Sequence, residues 1–163
     1  MSQTQSHSRI TKKIFLFPAA LSLRKFPKPE TMYVLHLGDI DVKIKIIVHR
    51  GRAEAVIEGA KERVEEIERR MREMDERSSQ LVDKLYKCHV ERKTAMHVTY
   101  HVFDFLTKVY VIVPIKWPGD WQWLERIAKQ CFNKDVEVIA YAETDKMLEF
   151  CKLYVLSAVY PPS

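Results

Sequence analysis

Between Arg52 and Cys88 the apolar positions recur at alternating gaps of three and four: Ile57, Ala60, Val64, Ile67, Met71, Met74, Ser78, Leu81, Leu85 and Cys88. Only Ser78 interrupts the set. Such a repeat is the narrow seam of a coiled coil or helical hairpin, not the wider stripe of a globular core helix. From Lys61 to Arg77 every position is charged except Val64, Ile67, Met71 and Met74, so the remaining surface belongs in water. Glu65, Glu66, Glu68 and Glu73 each stand four residues ahead of an arginine (Arg69, Arg70, Arg72 and Arg77). That order supports a helix by about 0.2–0.5 kcal/mol per pair. The pattern predicts a long helical arm over 52–103, with Ser78-Ser79 as the bend if it is a hairpin. Ile57, Val64, Ile67, Met71, Met74, Leu81 and Leu85 form its candidate interaction seam.

Elsewhere the period changes to two. Residues 32–37 (MYVLHL) read as a short strand, and Gly38-Asp39 as a turn. In 41–48, Val42, Ile44, Ile46 and Val48 alternate with Asp41, Lys43 and Lys45, the signature of a half-buried antiparallel strand. Residues 94–105 show both periods and read as helix fading near Phe103. Residues 108–115 (KVYVIVPI) form a strand. Pro118-Gly119-Asp120 breaks the chain and opens a helix near Trp121 that buries Trp123 or Leu124, with Ile127, Ala128 and Cys131, and ends at Asn133. Residues 135–142 are the last strand. Thr144 caps a final helix with Met147, Leu148, Cys151, Tyr154 and Val155 on its buried side. The order implies an α+β fold: a mainly antiparallel sheet with helices packed on one face and a long projecting helix or helical hairpin.

The expected organisation is a disordered basic tail over 1–13, an extended arm over 14–31, and a single domain over 32–160. The apolar run 14–23 is interrupted by Pro18 and falls far short of the roughly 20 residues that cross a bilayer. Charge refines this picture. The net charge is +5, and residues 1–29 carry Arg9, Lys12, Lys13, Arg24, Lys25 and Lys28 with no acid, so the excess resides there. A nucleic-acid binder would more often spread it over the folded surface; a tail of this kind suits an anionic membrane or an acidic partner. The single Asn133 amid abundant Lys, Arg and Glu is a thermophile-like bias. Cys88, Cys131 and Cys151 have no metal-binding spacing and read as buried thiols of a reducing, cytoplasmic compartment.

Candidate chemistry is sparse. With glycine only at positions 38, 51, 59 and 119, neither a G-x-x-x-x-G-K-[ST] loop nor a G-x-G-x-x-G turn exists, which removes the usual phosphate cradles. His97 and His101 are four apart, near Cys88 and His89, but lack the glutamate of H-E-x-x-H. Packing is their better reading, and no cofactor is expected. Tyr110, Trp117, Trp121, Trp123 and Tyr141 have few lysines nearby and suit packing more than base stacking. Asp39, Asp41 and Lys43, with Glu91 and Lys93, supply the carboxylates and lysines that a small metal-dependent nuclease would use.

The run LSLRKFPKPETMYVLHLGDIDVKIKIIVHR, the long charged helical pair after it, and the later strand–helix–strand–helix ending before Pro161 have a familiar order. Over residues 20–162 they resemble the N-terminal region of the type IV secretion conjugation ATPases, the CagE/TrbE/VirB family. In that family the region precedes a motor domain with Walker motifs, which this chain does not contain. The resemblance therefore implies a non-enzymatic docking or assembly module, not ATP hydrolysis. Its expected partner is a protein, a motor ATPase or secretion-channel subunit. A homodimer and an anionic membrane surface touched by the tail are further expectations, and a location peripheral to the membrane is compatible with them. The alternative is a metal-dependent nuclease or DNA-binding protein of a mobile element or virus.

Overall fold

The computed structural model describes residues 8–16, 31–49, 52–90, 100–113, 121–140 and 143–161. In chain order the elements are β1 (Arg9–Leu16), β2 (Thr31–Leu37), β3 (Val42–His49), β4 (Arg52–Ala60), α1 (Lys61–Val90), β5 (His101–Asp104), β6 (Val109–Val113), α2 (Gln122–Phe132), β7 (Val136–Ala140) and α3 (Thr144–Val159). The class is α+β, with mostly antiparallel strands. The single domain expected over 32–160 is instead two compact units: residues 1–72 with 144–163, and residues 73–143. Helix α1 contributes to both.

The first unit is built on a four-stranded antiparallel sheet of order β1-β4-β3-β2. Alternation decides its faces, because directly opposed residues of antiparallel strands point the same way. Ile44, Ile46 and Val48 of β3 oppose Ile57, Ala55 and Ala53 of β4, and all six are buried. Val64, Ile67 and Met71 of α1, with Met147, Phe150, Cys151, Tyr154, Val155 and Ala158 of α3, complete that core. Lys12 of β1 reaches Glu68 of α1 at 2.6 Å, and α3 lies against β3 and β2. The β2–β3 turn closes through the Ile40 and Asp41 amides, which donate to the carbonyls of Leu37 (3.2 Å) and Gly38 (3.4 Å). Asp41 adopts the left-handed conformation, φ 51°. Gly59 packs closely beside it: a Cβ there would lie 3.0 Å from Val42 Cγ2 and 3.2 Å from the Asp41 carbonyl oxygen, so any side chain would press on this turn.

The second unit holds a three-stranded sheet of order β5-β6-β7, antiparallel and then parallel. Val102, Val109, Val111, Val113, Val136 and Ala140 share a buried cluster with Leu85 of α1 and Leu124, Ile127 and Ala128 of α2. Residues 105–108 close the β5–β6 hairpin through reciprocal backbone bonds between Phe105 and Lys108. Asn133 ends α2 in the left-handed conformation, φ 52°.

Several expectations are corrected. The helical arm begins at Lys61, not Arg52, because β4 is a strand in which Ala53, Ala55, Ile57 and Gly59 alternate with Glu54, Val56 and Glu58. Ile57 and Ala60 fit the helical spacing only by coincidence. Ser78-Ser79 is no bend, since α1 is a continuous helix from Lys61 to Val90 and Ser79 Oγ donates to the Asp75 carbonyl one turn back. The arm does not extend to Phe103, for His101–Asp104 is a strand paired with β6. Residues 91–99, including Glu91, Lys93 and His97, lie outside the described residues, as do 17–30 and 114–120. Arg9, Lys12 and Lys13 belong to β1 rather than to a disordered tail, because pairing with β4 gives the segment backbone partners along one side and buries Leu16. Cys88 and Cys131 are not free thiols: they form a disulfide joining α1 to α2, while Cys151 is free and buried.

Candidate functional site

Among the described residues, Asp39 and Asp41, two of those named for chemistry, are held by partners within the chain. Asp39 accepts the Tyr160 hydroxyl at 2.6 and 2.8 Å, and that bond raises the Tyr160 pKa. Asp41 pairs with Arg9 at 2.5 Å. Lys43 faces Glu58 across β3 and β4. The nuclease set is therefore not brought together by the described residues: Asp39 and Asp41 share a turn, and Glu91 and Lys93 fall outside. Among the described residues no three His, Cys, Asp or Glu side chains are grouped to hold a metal ion. His101 is half-buried, and desolvation lowers its pKa and disfavours the charged ring.

The seam residues divide in the same way. Ile57, Val64, Ile67 and Leu85 have no exposed surface and Met71 has 2%; Met74 and Leu81 are half-buried. Five of the seven are core side chains, so the seam is not a free face for a partner. Of the basic set, Arg9, Lys12 and Lys13 make ion pairs with Asp41, Glu68 and Glu54, while Arg24, Lys25 and Lys28 are outside the described residues.

The feature that sequence reasoning missed is the outer face of the four-stranded sheet. Strand register places three rows there: Phe15, Glu54, Ile47 and Met32; Lys13, Val56, Lys45 and Val34; Thr11, Glu58, Lys43 and His36. Both ends of the first row are exposed large hydrophobics, Phe15 at 47% and Met32 at 54%. Lys13 pairs with Glu54 at 3.2 Å and stands 5.5 Å from the Phe15 ring centre. Lys45 has only aliphatic neighbours directly opposite, Val56 and Val34. The face thus grades from an end where Phe15, Ile47 and Met32 flank the buried Glu54, through lysines, to a polar end that carries Glu58 beside Lys43. Such a gradient suits contact with a surface that pairs carboxylates with apolar groups.

No protein-family model, curated protein or solved structure matches the chain. No described helix is long and apolar enough to cross a membrane.

Proposed function

We propose that the chain is a non-enzymatic docking module and that it meets its partner on the outer face of the four-stranded sheet. The observation that carries this reading is the pairing of exposed Phe15 and Met32 with Lys13, Lys43, Lys45 and His36 on one sheet face. The occupant is a protein surface with an apolar end and carboxylates to one side of it. The resemblance to the N-terminal region of conjugation ATPases makes a motor ATPase or secretion-channel subunit the partner to try first. A cytoplasmic setting is retained alongside the disulfide because intracellular proteins of hyperthermophiles carry such bonds, and the thermophile-like composition fits that exception.

The test is co-purification of the full chain with the motor ATPase of a conjugation apparatus from the same source. Phe15→Ser with Lys43→Glu alters exposed positions on the face and leaves the core intact. Loss of capture by this variant, at an unchanged melting temperature, is the expected result. Absence of capture by the wild type, or equal capture by the folded variant, removes the proposal. Magnesium-dependent DNA cleavage abolished by Asp41→Ala would replace it with the nuclease reading.

A further inference from the structure

Among the described residues, the two outer strands of the four-stranded sheet differ in kind. An edge strand presents unpaired backbone N–H and C=O groups, and proteins commonly guard it with charged side chains. Strand β1 is guarded, carrying Arg9, Lys12 and Lys13 within its eight residues. Strand β2 (TMYVLHL) contains no Asp, Glu, Lys or Arg in its seven residues. It pairs only with β3 among the described strands. Met32 and Tyr33 are exposed large hydrophobics on it, and none of its described side chains is fully buried.

We propose that β2 is the dimerisation edge and that its occupant is β2 of a second copy, joined antiparallel across a twofold axis. One feature of the strand selects this partner, and two geometric rules then fix how the copies pair. Absence of formal charge lets the strand face its own copy without repulsion, which β1 could not do. A twofold axis perpendicular to the sheet keeps both outer faces on one side, so opposed residues must come from the same face. Of the registers with that parity, the one centred on Val34 aligns all seven residues: Thr31 with Leu37, Met32 with His36, Tyr33 with Leu35, and Val34 with itself. Exposed Met32 then lies against exposed His36 of the other copy on the outer face. The result is a continuous eight-stranded sheet with two docking faces on the same side. This inference stands on the edge alone and does not depend on the docking reading.

The experiment is sedimentation velocity on the full chain over a range of concentrations, with melting temperature as the folding control. The wild type is expected to dimerise. Met32→Lys with His36→Lys opposes like charges twice across the axis and weakens dimerisation by about tenfold. Met32→Glu with His36→Glu does the same, although it places an acid opposite Lys43 within each copy. Met32→Lys with His36→Glu sets each introduced lysine against an introduced glutamate of the other copy and restores dimerisation. A monomeric wild type, undiminished dimerisation of either like-charged variant, or failure of the mixed variant to recover would each overturn the proposal.

Discussion

The Tyr154 hydroxyl of α3 donates to the Met71 carbonyl oxygen of α1 at 3.1 Å, inside the core of the first unit. The residues are 83 positions apart in sequence, and the bond fixes how the last helix meets the first. Met71 is interior to α1, so its carbonyl keeps a helical partner when the hydroxyl is removed. Tyr154→Phe is therefore expected to lower unfolding free energy by about 0.5–1.5 kcal/mol, the net worth of one neutral hydrogen bond. Tyr154→Ala, which also empties a buried ring site, is expected to cost about 3–5 kcal/mol. Urea unfolding of both variants checks the ratio.

Arg70 closes the end of the same helix. Its Nη1 donates to the carbonyls of Ala158 and Val159, each at 3.2 Å, while Nη2 pairs with Glu66. Last-turn carbonyls of a helix lack intrahelical partners, so this fork satisfies groups that α3 cannot satisfy itself. Arg70→Ala is expected to lose about 1.5–3 kcal/mol by denaturant titration. Arg70→Lys recovers little, because one ammonium cannot reproduce the planar fork.

The disulfide predicts a thiol count. Cys88 and Cys131 are 43 positions apart, and Cys151 is free. Under denaturing, non-reducing conditions a thiol reagent should find one group per chain, rising to three after reduction. Closing a loop of that length stabilises by about 2–4 kcal/mol. A reductant, or Cys88→Ser with Cys131→Ser, should lower the melting temperature of the residues 73–143 unit.

Ser78 carries the opposite expectation. It is 4% exposed, its Oγ has no partner among the described residues, and it lines a cavity of about 40 Å³ with Met74, Leu81 and Phe103. Ser78→Ala removes a buried unpaired hydroxyl and improves helix propensity, so stability should rise by about 1 kcal/mol. A thermal melt that falls instead would show that a water in the cavity satisfies the hydroxyl.

Cys151 sets a pH dependence. Burial pushes its thiol from the ordinary 9.0 up to about 12. Between those values the folded chain keeps the proton and the unfolded chain releases it, so this group's contribution falls as pH rises past about 9. Iodoacetamide labelling of Cys151, followed by mass spectrometry, should stay slow in native protein as pH rises through 9 and accelerate only on unfolding.

How much the sequence disclosed follows from which faces are buried. In β3 one face is buried and the other carries Lys43 and Lys45, so the alternation was readable despite Ile47 on the lysine face. Leu124, Ile127 and Ala128 of α2 and Met147, Cys151, Tyr154 and Val155 of α3 are buried as read, whereas Cys131 and Leu148 are half-buried and the buried Phe150, Ala158 and Val159 were missed. Strand β4 was hidden because it lies between β1 and β3 with Ala53, Glu54 and Ala55 all buried. Small residues on a central strand leave little contrast for a period of two. The spacing from Val64 onward was real, but it describes packing within the chain rather than a seam for another chain. Cys88 and Cys131 had no local pattern, since only the placement of α1 and α2 brings their Cα atoms to 6.3 Å. For the candidate site, Lys43 was legible as the polar half of an alternation. The alignment of Phe15 with Met32 required the register of four strands.

The partition of the chain dictates an order of events on the ribosome. Residues 73–143 are synthesised between the sheet of the first unit and the helix that completes its core. Until α3 emerges, Ile44, Ile46 and Val48 lack the cover of Phe150, Tyr154 and Val155, while the intervening unit already has its three strands and α2. Domains fold as they emerge, and uncovered apolar sheet surface is the state most prone to aggregate. Translation stalled before residue 144 would thus leave a finished insert attached to an unfinished host, a species that chaperones must hold until the last helix arrives.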